Sequence, residues 1–197
     1  PRGKGGIAVI RISGEGVRDI LARVFRPFAK QEEIRPRYAV YGEILDTDGS
    51  VLDEGLVTFF ESPRSFTGED VAEISCHGGI LVTELVLTAV LTAGARVAEA
   101  GEFTRRAFLN GRLDLVQAEA VADMIASSSR ASHSLASTQM RGGYSSSLAE
   151  LRAKLLNVAS LVELELDFAE EEVEFADRSH LAAMLDDAAA QINHLCD

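Results

Sequence analysis

Residues 65–79, SFTGEDVAEISCHGG, hold three carboxylates, a thiol, an imidazole and a glycine pair within fifteen positions. Three chemistries compete for such a stretch: a cysteine–histidine nucleophile, a metal site, or a pocket that only holds a ligand. The β-branched and apolar residues of DVAEISC predict a strand. Strand alternation puts Ala72, Ile74 and Cys76 on one face and Val71, Glu73, Ser75 and His77 on the other. Cys76 and His77 then point apart, and a thiolate–imidazole pair needs hydrogen-bond reach. Cys76 reads instead as a small core residue. The histidines at 77, 133, 180 and 194 form no pair at ligand spacing, which removes a zinc centre. His133, His180 and His194 read as helix-surface residues.

Two glycine-rich stretches suggest phosphate binding. GKGG at 3–6 lacks the spacing of a nucleotide-binding loop and precedes a strand rather than joining a strand to a helix. HGG at 77–79 does lead from a strand into the helix expected near Ile80, so bare N–H groups could face a ligand there. A tight turn that simply needs glycine explains it equally well. Glu73 shares its face with His77 and lies close to that turn, a place where a carboxylate can accept paired bonds from planar N–H donors. Arg11 interrupts the apolar run VIRIS; it is either a solvated-face residue or a planar fork for a carbonyl or carboxylate. On the residues alone, the reading ends at a small-ligand pocket.

These side chains must be carried by regular elements. GIAVIRISG (6–14) reads as a strand, and Val17, Ile20, Leu21, Val24 and Phe25 have the spacing of a short amphipathic helix. YAVYGEIL and GLVTFFES flank DTDGS as a hairpin. ILVTELVLTAVLTAG reads as a buried helix closed by Gly94, and ARVAEAG as a short strand or strand-like return. Strands and helices mix without a βαβ repeat, which predicts an α+β domain. Beyond Leu113 there is no proline, and Leu148, Leu151, Leu155, Val158 and Val162 trace one helical stripe, a core or helix-pairing seam. RGGY (141–144) is the expected interruption between long antiparallel helices, and SSSRASHS is either a loose turn or a polar helix segment. The division expected is residues 1–111 and 112–197.

Composition narrows the partners. A length of 197 residues allows one sizeable domain or two small ones, and no apolar run reaches the roughly 18 residues of a membrane helix. Two distant cysteines make no disulfide framework, so a reducing, cytoplasmic setting is expected. The start at Pro1 without a signal-peptide pattern reads as a cut end. A net charge of −12 argues against this chain being the main nucleic-acid grip. Eight acids and no base in ELELDFAEEEVEFAD (163–177) form a solvated helix face and loop, or an acidic docking or cation surface.

The order of the motifs carries more. GKGGIAVIRISG, then DGSVLDEGLVTFFESPRSFTGEDVAEISCHGG, then AGEFTRRAFLNGRLDLVQAEAVADMI resembles the tRNA uridine-modifying GTPases of the MnmE (TrmE) family, from end to end and including ELELDFAEEEVEF. The resemblance implies a mixed-sheet, aminomethyltransferase-like tetrahydrofolate-binding domain that dimerises, followed by the first part of a helical-bundle domain. It implies 5,10-methylene- or 5-formyl-tetrahydrofolate as one-carbon source for the wobble uridine of tRNA, with the FAD-dependent protein MnmG as partner. Carried over by position, the folate contacts are Arg11 in RISG, Glu73 in GEDVAEI and Arg112 in LNGRLD. Glu73 would take the pterin N–H donors, and the two arginines the carbonyl or carboxylate oxygens. Many relatives have lysine at the last position; arginine keeps the charge with a different geometry. GTP, Mg2+ and K+ belong to a GTPase domain whose Walker A motif is absent from this sequence, as is the family's Cys-x-Gly-Lys ending, so Cys196 is not that cysteine. The sequence therefore reads as a fragment without GTPase activity of its own. A competing reading keeps the dimer and the partner docking but treats the chain as a scaffold without functional folate binding. The trio Arg11, Glu73 and Arg112 favours the first.

Overall fold

The computed structural model describes residues 5–29, 34–167 and 178–196. It divides into two compact units, Pro1–Ala118 and Glu119–Asp197. The first unit is built on strands β1 (Ile7–Ser13), β2 (Phe25–Pro27), β3 (Ala39–Leu45), β4 (Val51–Phe60) and β5 (Val71–His77), in the order β1-β5-β4-β3-β2. Helices α1 (Val17–Val24), α2 (Ile80–Thr92) and α3 (Glu102–Leu109) complete it. Alternation decides which sheet face they cover. Ile10, Ile12, Val57, Ala72, Ile74 and Cys76 turn to one face and pack with Val17, Leu21 and Val24 of α1 and Val86 and Val90 of α2.

Among the described residues, the four strand pairings are antiparallel, and the one parallel contact is an isolated bridge between Pro36 and Phe59. The sheet is thus antiparallel where the resemblance implied a mixed one. Parallel neighbours need a crossover between adjacent strands, and α1 instead joins strands at opposite edges of the sheet, β1 and β2.

Three local expectations are refined. Phe25, the last member of the α1 stripe, opens β2 and is still buried there. Helix α2 is buried along one side only, since Ile80, Leu81, Leu85 and Leu87 are exposed, and Gly94 follows its end at φ 123°. ARVAEAG forms neither strand nor strand-like return: 95–99 has no regular structure, and its side chains are mostly exposed.

The second unit holds most of α4 (Leu115–Ala126) together with α5 (Arg130–Met140), α6 (Gly143–Asp167) and α7 (Arg178–Cys196). Ser129 caps α5, so SSSRASHS contains a turn, and the RGGY interruption falls between α5 and α6 with Gly142 at φ 78°. Lys154 pairs with Asp187 while the Gln191 amide donates to the Ser147 carbonyl, so α6 and α7 run antiparallel. Leu151 and Val158 of the leucine stripe are buried beside this seam, whereas Leu148, Leu155 and Val162 stay partly open. Of the acidic run 163–177, only Glu163–Asp167 lies within the described residues.

Candidate functional site

Strand register brings Arg11 and Glu73 together. β1 pairs with β5 so that Arg11 stands opposite Glu73, on the face turned away from α1 and α2. The Arg11 Nε donates to Glu73 Oε1 at 2.8 Å, and Nη2 donates to the same oxygen. Glu73 Oε2 accepts no bond among the described residues. The Arg11 guanidinium lies 5.8 Å from the centre of the Phe66 ring and 5.9 Å from that of Phe103. One cation flanked by two aromatic faces, beside a carboxylate with a free oxygen, suits a planar, nitrogen-rich ring.

Arg112 lies elsewhere on the same frame. Its Nε donates to the Ser65 carbonyl at 3.2 Å, and its side chain packs on Gly68, where an added Cβ would meet Arg112 Cγ at 3.0 Å. Gly68 sits at φ 79°, a conformation open chiefly to glycine. Arg112 thus meets Arg11 and Glu73 only through the loop 61–70, which places Phe66 next to Arg11.

That loop is anchored by side chains that the sequence reading passed over. Ser13 at the end of β1 bonds the Thr67 hydroxyl at 2.6 Å and donates to Glu69 Oε2 at 2.9 Å, and Thr67 is fully buried. Asn110 donates to the Thr67 carbonyl at 2.7 Å. Arg106 of α3 donates to both oxygens of Glu69 and also to Glu102. Glu102 is buried and accepts from Arg96, from the Glu99 backbone and from Arg106. The Arg96 bond, then those of Glu99 N–H and Arg106, hold its carboxyl far below the usual range against the opposing effect of desolvation. Acid four residues before base in GEFTRRAF was the available signal, since that spacing pairs side chains on a helix. Nothing in the sequence linked Arg106 to Glu69.

A cavity of about 290 Å³ runs along the free edge of β1, lined by Arg11, Ser13, Leu91, Val97, Phe103 and Arg106 among others. Of the three residues expected to bind, Arg11 alone lines it; Glu73 and Arg112 do not.

The rejected chemistries have clear structural counterparts. Cys76 is 3% exposed, and burial, with the charge of Asp53 adding to it, pushes its thiol above the ordinary value. His77 points the other way and bonds Asp53 through Nδ1 at 2.7 Å. Burial alone would raise Asp53, but the His77 backbone and ring bonds outweigh it and hold that carboxyl low. In HGG, the Gly78 N–H is occupied by the Gly6 carbonyl at 3.3 Å, and a Cβ at Gly78 would meet the Gly5 carbonyl oxygen at 2.5 Å. The turn reading holds for Gly78. His133, His180 and His194 are exposed on α5 and α7. Among the described residues, no group of three or more His, Cys, Asp or Glu could hold a metal ion. Gly3 and Lys4 of GKGG lie outside the described residues.

Comparison with known proteins identifies the frame that carries this site. Residues 1–112 match the family model of the GTP-binding protein TrmE N-terminus, and residues 115–197 match that of the MnmE helical domain. Relatives named tRNA modification GTPase MnmE include those of Porphyromonas gingivalis, 49% identical over 99% of the chain, and Cytophaga hutchinsonii, 50% identical over 99%. The relative from Flavobacterium johnsoniae is 50% identical over the whole chain. The chain spans 42% of the length of each of these relatives. With both family models matched in order, and half the residues shared from end to end, the chain belongs to the TrmE/MnmE family and comprises its N-terminal and helical regions.

Proposed function

We propose that the first unit binds a reduced folate carrying a one-carbon unit, 5,10-methylene- or 5-formyl-tetrahydrofolate, and does so as one half of a homodimer. The observation that carries this reading is the Arg11–Glu73 pair flanked by Phe66 and Phe103. Glu73 Oε2 takes the N–H donors of the pterin, as one carboxylate oxygen can accept from adjacent ring and amino groups. Arg11 stacks with its two phenyl rings and turns its remaining N–H groups to the pterin carbonyl. Arg112 takes a carboxylate or carbonyl oxygen at the other end of the loop.

The sheet face that bears this pair supports dimerisation. Register aligns Val9, Ser75, Leu56 and Tyr41 in one row across four strands, and Ile7 and Val9 are 74% and 56% exposed. A row that is apolar or aromatic except for Ser75, on an uncovered sheet face, marks an interaction surface. A second copy covering it would close the folate site beside the interface.

In the full-length protein, this unit supplies the one-carbon group for an aminomethyl-type modification at C5 of a wobble uridine in tRNA. A GTPase domain with GTP, Mg2+ and K+ drives the conformational cycle, and the FAD-dependent partner MnmG shares the reaction in the cytoplasm. The division of labour falls between residues 1–111, which make the folate and dimer contacts together with Arg112 at the boundary, and 112–197, the helical part. The test is transfer of label from a one-carbon-labelled tetrahydrofolate into tRNA by the full-length protein with its partner. Label transfer lost in Arg11→Ala and Glu73→Ala, with the dimer retained, supports the reading. Undiminished transfer in both variants refutes it and leaves the scaffold reading, which the exposed apolar row alone supports.

A further inference from the structure

Within the first unit, Arg23, Arg35, Arg37, Arg64 and Arg112 have no carboxylate partner among the described residues. Two of them, Arg37 and Arg112, reach one loop, and Arg64 belongs to that loop. Arg37 Nη2 donates to the carbonyl of Arg64 at 3.4 Å, and Arg112 Nε donates to the next carbonyl, that of Ser65, at 3.2 Å. The acids of the same loop are already engaged: Glu61 with Arg18 at 3.1 Å, Asp70 with the Ser62 N–H at 2.9 Å, and Glu69 with Arg106 and Ser13. Arg37 stands at φ 69°, held by a 2.7 Å bond from its N–H to the Phe59 carbonyl. Arg37 and Arg112 thus end on adjacent carbonyls of a loop whose own acids are taken, in a chain with 31 acids and only 19 bases. An anion is the counter-charge that such unpaired cations lack.

The order of groups along the loop gives the anion its chemistry. Glu73 and Arg11 stand at one end, Phe66 beside them, then Arg112 on Ser65, then Arg64 and Arg37. A folate has the same order: a planar donor-bearing pterin, an aromatic benzoyl ring, then glutamate carboxylates. We propose that Arg37 and Arg64 extend the folate site and bind the carboxylates of a poly-γ-glutamyl tail, so that the protein selects polyglutamylated over monoglutamyl folate. This rests on the folate reading above.

The test titrates monoglutamyl and pentaglutamyl 5-formyl-tetrahydrofolate into the full-length protein at low and raised salt, with Arg37→Gly/Arg64→Gln alongside. Glycine accepts the left-handed backbone at position 37, so the variant loses charge without added strain. Two exposed ion pairs predict that the wild type binds the pentaglutamate roughly five- to tenfold more tightly. Salt should shrink this preference. The double variant should bind both forms alike, with monoglutamate affinity within about twofold of the wild type. A wild type without tail preference, or a variant that keeps it, overturns the proposal. A variant that keeps the tail preference but loses affinity for tRNA overturns it too and assigns these arginines to an RNA backbone. Failure of the wild type to bind either form refutes the folate reading itself.

Discussion

Thr67→Val probes whether the loop 61–70 is held by the chemistry described above. Valine has nearly the volume of threonine but no hydroxyl, so the change removes hydrogen bonding at a fully buried position without opening a cavity. Two interactions go: the 2.6 Å contact with Ser13 Oγ and the bond from the Glu69 N–H at 3.3 Å. A buried polar group left without its partner costs about 1–3 kcal/mol. Ser13 keeps its 2.9 Å bond to Glu69 Oε2, and the lost Glu69 N–H bond is a long one, so the cost falls in the lower half, about 1–2 kcal/mol. For a unit of this size that lowers its melting midpoint by roughly 3–10 °C, read by calorimetry with the two units analysed separately. Ser13→Ala removes the same contact from the other side, so the double variant should lose less than the sum of the single ones. A midpoint unchanged by Thr67→Val, or strictly additive losses, would refute the reasoning that this buried trio anchors the loop.

Three other outcomes follow from the same geometry. Glu73→Gln leaves an uncharged acceptor for the pterin and should weaken 5-formyl-tetrahydrofolate binding by about 1.5–3 kcal/mol, or roughly 10–150-fold; its effect on folding should be small because the Arg11–Glu73 pair is partly exposed. Glu102 has a folded pKa below its unfolded value, so its contribution to stability is complete above the ordinary carboxylate range and is lost as pH falls through the depressed value. Denaturation midpoints measured from neutral pH to about pH 3 should therefore fall less steeply in Glu102→Gln than in the wild type; parallel curves would count against Glu102 as the acid-sensitive group. Cys76, buried with its thiol raised, should react with a thiol reagent only as fast as its strand opens, and rapid labelling at Cys76 itself, located by peptide mapping of the native protein, would contradict the packing.

What could be read from the sequence follows the range of the forces involved. Alternation in DVAEISC separated Cys76 from His77 correctly because a strand's side-chain period is local. The β3–β4 hairpin and the end of α2 at Gly94 were legible for the same reason, through the polar DTDGS turn and a glycine just past the helix end. The pairing of Arg11 with Glu73 was not, since it depends on the register of β1 against a strand 62 residues away. Asp53 as the partner of His77, and Arg106 as that of Glu69, were hidden for the same reason. ARVAEAG was misread because its single β-branched residue, Val97, has no neighbouring strand to make a ladder with. The aromatic flanks of Arg11 come from two distant segments, and neither Phe66 nor Phe103 carries any signal in its own neighbourhood.

Calorimetric titration of 5-formyl-tetrahydrofolate into the full-length protein tests the central claim most directly, with Glu73→Ala measured alongside. Saturable binding to the wild type, abolished or weakened at least tenfold by a change that leaves the dimer and its melting midpoint intact, is the predicted result. A folded, dimeric wild type that binds no folate, or a Glu73→Ala variant that binds as tightly as the wild type, would contradict the account.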